Sequence, residues 1–222
     1  MLANRKTRRK VRERYARDEQ KAQTRQNLLA AALTLLEHRS FDGLSLREVA
    51  RETGVVPAAF YRHFRSMEEL GLALVDESMS SLRAMIRDVR SGPVPTKNFI
   101  GASVATLVQQ VHAHRSHFRF VAREIHGGTP VVRQAIHREL QGITHELALD
   151  LSRLPGMNRW SSEDLMMIAA LMVNAMVLTV AALLDVPTGD TVREAEITRR
   201  AEKQLRLIVL GVPMWKSAGS SG

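Results

Sequence analysis

Cysteine is absent from all 222 residues. That removes disulfides, thiol catalysis and cysteine-ligated zinc together, and it fits a protein of the reducing cytoplasm. Strand-like alternation of apolar and polar residues is missing from every window, which excludes a sheet and leaves an all-α protein. No G-x-S-x-G, no phosphate-binding glycine loop and no H-E-x-x-H occurs, so the familiar signatures of hydrolases, nucleotide enzymes and zinc proteases are all wanting. Aromatic residues make up only 5% of the chain, which makes the cluster "FYRHF" at residues 60–64 conspicuous. Acidic residues are sparse where basic ones are densest. Residues 1–25 carry ten Lys or Arg against Glu13, Asp18 and Glu19, so a surplus of seven of the net +9 charges lies there. No apolar stretch follows that basic start until Leu28, so a signal peptide is not expected.

What is present is helical nearly throughout, in a composition (45% apolar, 25% charged) that suits a soluble globular protein. In "TRQNLLAAALTLLEHR" the residues Leu29, Ala32, Leu33 and Leu36 share one stripe. "SLREVARETG" opens with the pair Ser45 and Glu48 of a capping box and closes on Gly54, which supplies a left-handed stop. Pro57 suits the first position of a third helix, in which Phe60 and Phe64 fall one turn apart. A second capping box, Ser66 to Glu69, starts a long fourth helix that Gly92 and Pro93 break. Further helices follow, separated by Gly127 and Gly128, by Pro155 and Gly156, and by Pro187 and Gly189, for about nine in all. The domains expected are a flexible basic arm (1–23), a three-helix module (24–70), a helical body (71–216) and a disordered, linker-like tail (217–222).

Leu165 to Leu184 is a run of 20 residues without a charge, long enough to span a membrane. Asn174 lies in its middle, Glu163, Asp164 and Asp185 flank it, and no Lys or Arg cluster marks either end. Burial in a core or at a dimer interface explains it better, and no membrane partner is expected. His112, His114 and His117 form the nearest approach to a metal site, but only the last two share a helical face, so no metal is expected.

Two short helices joined through a glycine turn have the layout of a helix-turn-helix, whose second helix enters the major groove of DNA. Such a helix needs apolar anchors, which Phe60 and Phe64 supply, and small residues at its start, which Pro57, Ala58 and Ala59 supply. Tyr61 and His63 can then reach flanking phosphates, with Arg47 and Arg62 adding charge. Ser45 offers a hydroxyl and the first N–H groups of its helix to a phosphate.

The stretch "SLREVARETGVVPAAFYRHFRSMEEL" resembles the DNA-binding domain of the TetR family of bacterial transcriptional regulators. "LSLREVARE", "FYRHF", "ELGLALVDES" and "HFRFVARE" look like the repressors of unsaturated fatty acid synthesis and desaturation within it, the FabR and DesT type. The resemblance implies that Tyr61, His63, Ser45 and Thr24 hold phosphates while Ala58, Ala59 and Arg47 lie nearest the bases. It also implies a homodimer formed through the last two helices, a palindromic double-stranded DNA operator, no catalytic role, no cofactor, and a long-chain acyl-CoA as effector. "DLMMIAALMVNAMVLTVAALLDV" has the all-round apolarity such pairing requires, with Leu205, Ile208 and Val209 as a matching stripe. Phe99, Val104, Leu107, Phe118, Phe120, Leu147, Leu171 and Met172 are the candidates to line a tunnel for the acyl chain, with Arg119 and Arg123 at its acidic end. Two other readings stay open: a repressor of efflux or catabolic genes answering to another hydrophobic molecule, and a basic helical protein that binds nucleic acid or lipid without sequence choice.

Overall fold

The structure is a computed structural model that describes residues 2–91 and 99–217. Every regular element among the described residues is a helix, as the sequence pattern predicts. There are nine α-helices: α1 (Leu2–Leu35), α2 (Leu46–Glu52), α3 (Pro57–Phe60), α4 (Met67–Ser91), α5 (Phe99–Ala113), α6 (Arg115–Gly127), α7 (Pro130–Leu151), α8 (Ser162–Leu184) and α9 (Thr191–Gly211). The chain divides into two compact units, Met1–Leu74 and Val75–Gly222, the boundary falling inside α4.

The first difference from expectation is α1. The start of the chain, expected as a flexible arm, is helix back to Leu2 and continuous with the helix that carries the core. Its residues explain this. Lys, Arg, Gln, Glu and Ala are good helix formers, and the chain has no glycine before Gly43 and no proline before Pro57. From residue 28 on, α1 turns apolar and buries Leu28, Leu29, Ala32, Leu33 and Leu36. Phe41, Leu44, Val49, Ala50, Phe60, Phe64, Leu70 and Leu74 are also buried in the first unit. Each large side chain removed from water there contributes about 1.5–3 kcal/mol before entropy is counted.

Both ends of α2 are fixed by their own residues. Ser45 Oγ accepts from the N–H of Glu48, and the Glu48 carboxylate accepts from the N–H of Ser45, which completes the capping box. At the other end Gly54 adopts φ 70°, the N–H of Val55 reaches the carbonyl of Ala50 (2.9 Å), and that of Gly54 reaches Arg51 (3.1 Å). This paired closure needs the left-handed residue that only glycine adopts at little cost. α3 is shorter than expected. It ends at Phe60, and the chain continues as tight turns in which the N–H of His63 and of Phe64 both reach the carbonyl of Phe60 (2.8 and 3.0 Å). Phe60 and Phe64 still pack together, ring centres 5.6 Å apart and tilted by 44°, both fully buried. The cap of α4 also departs from the full box: Ser66 Oγ accepts from Glu69 N–H, but the Glu69 carboxylate accepts from the N–H of Arg65.

In the second unit α8 is central, packing against α5, α6, α7 and α9. Ser161 caps its start, and the Arg115 guanidinium donates to the carbonyls of Leu184 and Val186 at its end. Cations satisfy last-turn carbonyls in this way. Ser217, expected as the first residue of the tail, is instead buried, with Oγ accepting from the N–H of Ser161 and donating to Asp164. The rest of that tail lies outside the described residues.

α8 is the one described helix apolar and long enough to cross a membrane, with mean hydropathy 2.4 over its most apolar window. One side of it enters the core through Leu165, Ile168, Ala169, Thr179, Leu183 and Leu184. The other side leaves Met167, Leu171, Asn174 and Leu178 exposed, at spacings of three and four that make a single stripe. On α9 the stripe Leu205, Ile208 and Val209 divides: Leu205 is buried with Val104 and Ala201, Ile208 packs beside them, and Val209 faces out. The outward apolar residues of α9 are Val192 at its start and Leu207, Val209 and Leu210 near its end, followed by Met214.

Candidate nucleic-acid interface

Around α2 and α3 the first unit exposes a group of basic, small and aromatic residues. Arg47 in the first turn of α2, Pro57 and Ala58 at the start of α3, and Tyr61 and Arg62 just after it are all exposed, and Ala59 is half-buried. Tyr61 is the telling residue. A tyrosine 61% exposed beside a fully buried phenylalanine, its ring edge-on to Phe60 at 6.0 Å, rests on the core by one edge and leaves most of its surface in solvent. Val56, also exposed, adds apolar surface at the same edge, suited to contact with a thymine methyl. No sequence signal singles out Val56.

Ser45 is exposed at the head of α2, where first-turn N–H groups have no partner inside the helix. Its hydroxyl proton, however, points to Glu48 (2.6 Å), so Ser45 offers a phosphate the helix start more than its own O–H. Glu48 is held in turn by Arg39 at 2.7 Å. The hydrogen bonds from Ser45 and then Arg39 lower its pKa from 4.5 to about 2. Thr24 is placed differently from expectation: it sits inside the extended α1, not at a helix start, and its hydroxyl donates to the Gln20 carbonyl (2.9 Å).

His63 lines a concavity of about 400 Å³ together with Asp18, Lys21, Ala22, Arg25 and Arg62. Burial, and then the charges of Lys21, Arg25 and Arg62, lower its pKa, so the ring is neutral near pH 7. Its Nδ1 is buried without a partner among the described residues. Arg25 is the residue that sequence reading missed as part of this site. It donates to the His63 carbonyl (3.0 Å) and lies over the Phe64 ring, 4.2 Å from its centre, fastening α1 to the end of the turn after α3. The contact spans 38 residues of sequence, beyond any local pattern.

The candidates for a ligand tunnel are dispersed over the second unit. Leu107 and Phe118 join a cluster with Val111, Leu183 and Leu184. Val104 and Met172 pack with Ala201 and Leu205, and Met172 with Leu147 also borders the cluster of Ala148, Leu151 and Ile168. Phe120 is buried, and Arg119 and Arg123 are partly buried. Leu171 belongs to the outward stripe of α8 and is 52% exposed, and Phe99 is exposed as well, so neither sits among the buried clusters. Of the three histidines considered for a metal, two touch and the third is paired elsewhere. His112 pairs with Glu194 (2.9 Å), His114 meets His117 edge-on, and His117 Nδ1 shares a hydrogen bond with the buried Ser78 (3.1 Å). Among the described residues no three metal-ligating side chains converge.

Comparison with known proteins agrees with this layout. Residues 28–74 match the model of the bacterial regulatory proteins of the tetR family, and residues 96–211, more than half of the chain, match that of the tetracyclin repressor-like C-terminal domain. Among solved structures the chain is similar to the transcriptional regulator FadR from Bacillus subtilis in complex with stearoyl-CoA, at TM-score 0.63 and 15% identity over 84% of this chain and 98% of that one. It is similar to E. coli NemR in its reduced form, at TM-score 0.61 and 21% identity over 84% and 97% of the two chains. AibR, solved with isovaleryl coenzyme A and operator DNA, matches at TM-score 0.63 and 17% identity over 82% and 97%. Identities of this order carry the fold alone. The two family models carry more: the chain belongs to the tetR family of bacterial transcriptional regulators, DNA-binding proteins with a helical ligand-binding domain and not enzymes.

Proposed function

We propose that the protein is a cytoplasmic repressor of fatty acid desaturation or unsaturated fatty acid synthesis genes, which binds a palindromic operator as a homodimer and answers to a long-chain acyl-CoA. The observation that carries the effector is on α6. Arg119 and Arg123 stand one turn apart and share a face, beside Phe118 on an apolar cluster and the buried Phe120. Cations beside an apolar interior suit a molecule with phosphates at one end and a chain at the other. The acyl-CoA complexes of FadR and AibR support the same reading. The dimer rests on the outward apolar stripes of α8 and α9, which a second copy covers by two-fold pairing.

Reading of the operator rests on Arg47, Ala58 and Ala59 toward the bases, and on Tyr61, Arg62, His63 and the start of α2 at Ser45 toward phosphates. With side chains this small at the start of α3, DNA shape carries much of the selectivity. The test is the affinity of the full chain for its operator with saturated or unsaturated acyl-CoA added. A change with one of them supports the reading. Equal affinity with neither, saturated or unsaturated added overturns it, because an effector acts only by binding two states unequally.

A further inference from the structure

Of the ten cations in the first 25 residues, only Lys21 and Arg25 take part in the interface described above. α1 runs through that region unbroken, and helical register orders its cations. Arg17, Lys21 and Arg25 are four residues apart and fall on one side of the helix, and the sequence continues backward through Arg14, Lys10 and Lys6 at spacings of three and four. From Lys6 to Arg25 the helix rises about 28 Å, the length of roughly eight base pairs of duplex. The inner end of the row is fixed. Arg25 is tied to the His63 carbonyl and the Phe64 ring, and Lys21 and Arg25 line the same concavity as Arg62 and His63.

A row of cations that starts at the DNA-reading turn and runs outward in helical register matches a linear polyanion better than a single charged ligand. A membrane surface asks instead for an apolar face along the same helix. Apart from Met1, only Leu2, Val11 and Tyr15 are large and apolar before Leu28. We infer that the row Lys6, Lys10, Arg14, Arg17 and Lys21 is a second DNA-binding element, holding phosphates of the duplex that flanks the half-site read by α2 and α3. The inference rests on the repressor reading, and its test keeps the two apart.

The full chain and its variant Lys6→Gln, Lys10→Gln, Arg14→Gln, Arg17→Gln are titrated by fluorescence anisotropy over a range of salt. Two duplexes are used: the footprinted palindrome trimmed to its ends, and the same palindrome with random flanks. Glutamine keeps the helix propensity of the segment. On the flanked duplex the slope of log K against log salt is expected to be steeper for the unmodified chain by about 3 to 4 per protomer, since each phosphate contact adds about 0.9. The variant loses that excess, while its affinity for the trimmed duplex is unchanged. A charge-keeping variant, Arg14→Lys with Arg17→Lys, retains the steep slope. Equal slopes on the two duplexes overturn the inference, as does tighter capture by vesicles of phosphatidylserine and phosphatidylcholine than by flanked DNA. Failure of the repressor reading shows separately, as no preference of the unmodified chain for the palindrome over a scrambled duplex of equal length.

Discussion

The first unit buries its phenylalanines, Phe41, Phe60 and Phe64 each at 3% exposure or less, and faces solvent mainly with charge. The second unit also buries an apolar interior, with Ser78, Glu124, Thr144 and Thr179 inside it, yet leaves Leu171, Leu178, Leu207 and Leu210 outside, each more than half exposed. The difference separates two kinds of incompleteness. The first unit is closed as a core and keeps Arg47, Tyr61 and Arg62 exposed around α2 and α3. The second leaves large apolar side chains of α8 and α9 in solvent, and under the dimer proposed above these are the residues a second copy would cover.

The largest effect expected follows from deleting a closed core. Phe60→Ala removes a fully buried ring from a small unit and is expected to cost about 3–5 kcal/mol. Calorimetry is expected to show the transition of residues 1–74 falling far more than that of the body. The opposite substitution sharpens the contrast: Leu171→Glu with Leu178→Glu places charge on the outward stripe of α8. That pair is expected to halve the mass in sedimentation while each monomer keeps its fold, with stability within about 0.5 kcal/mol as for exposed sites. A stability loss as large as that of Phe60→Ala would make the stripe core instead of interface.

Smaller effects fall on the reading face. Arg47→Ala is expected to cost about 1–3 kcal/mol of operator binding and to relax sequence preference at one base position, whereas Arg62→Ala weakens all duplexes alike. Both are read from competition binding at fixed salt. Ser45→Ala removes the cap of α2 and is expected to cost about 1 kcal/mol in chemical denaturation.

The smallest effect is a pH dependence. Glu48 has a folded pKa of about 2, below its ordinary 4.5, so the unfolded chain takes up its proton first. Its contribution is therefore present above pH 4.5 and lost as the pH falls from there toward 2. Glu48→Gln is expected to flatten that part of an acid titration of stability, followed by circular dichroism.

Legibility in the sequence follows the range of the interactions. The cap at Ser45, the glycine stop at Gly54 and the pairing of Phe60 with Phe64 each depend on residues within five positions, and all were readable. The helical state of residues 2–23 was readable in principle, since nothing there breaks a helix, but the charge run suggested a solvated arm. Arg25 on Phe64, Arg39 on Glu48 and Ser78 on His117 join residues 9 to 39 apart, and no local pattern announces them. The same holds for direction around a helix that is apolar on all sides. α8 gives no periodic hint of which side is core, and Leu171, read as a tunnel residue, stands on its exposed side; on α9, Leu205, read as part of the interface stripe, is buried within the chain.

The most direct test of the central claim is a footprint of the full chain on genomic fragments, taken at a salt concentration where random DNA is released. The account expects protection of a palindrome whose halves lie on one face of the duplex, with each half lost on Tyr61→Ala or Arg47→Ala. Uniform coverage, vanishing everywhere at the same salt, would contradict it.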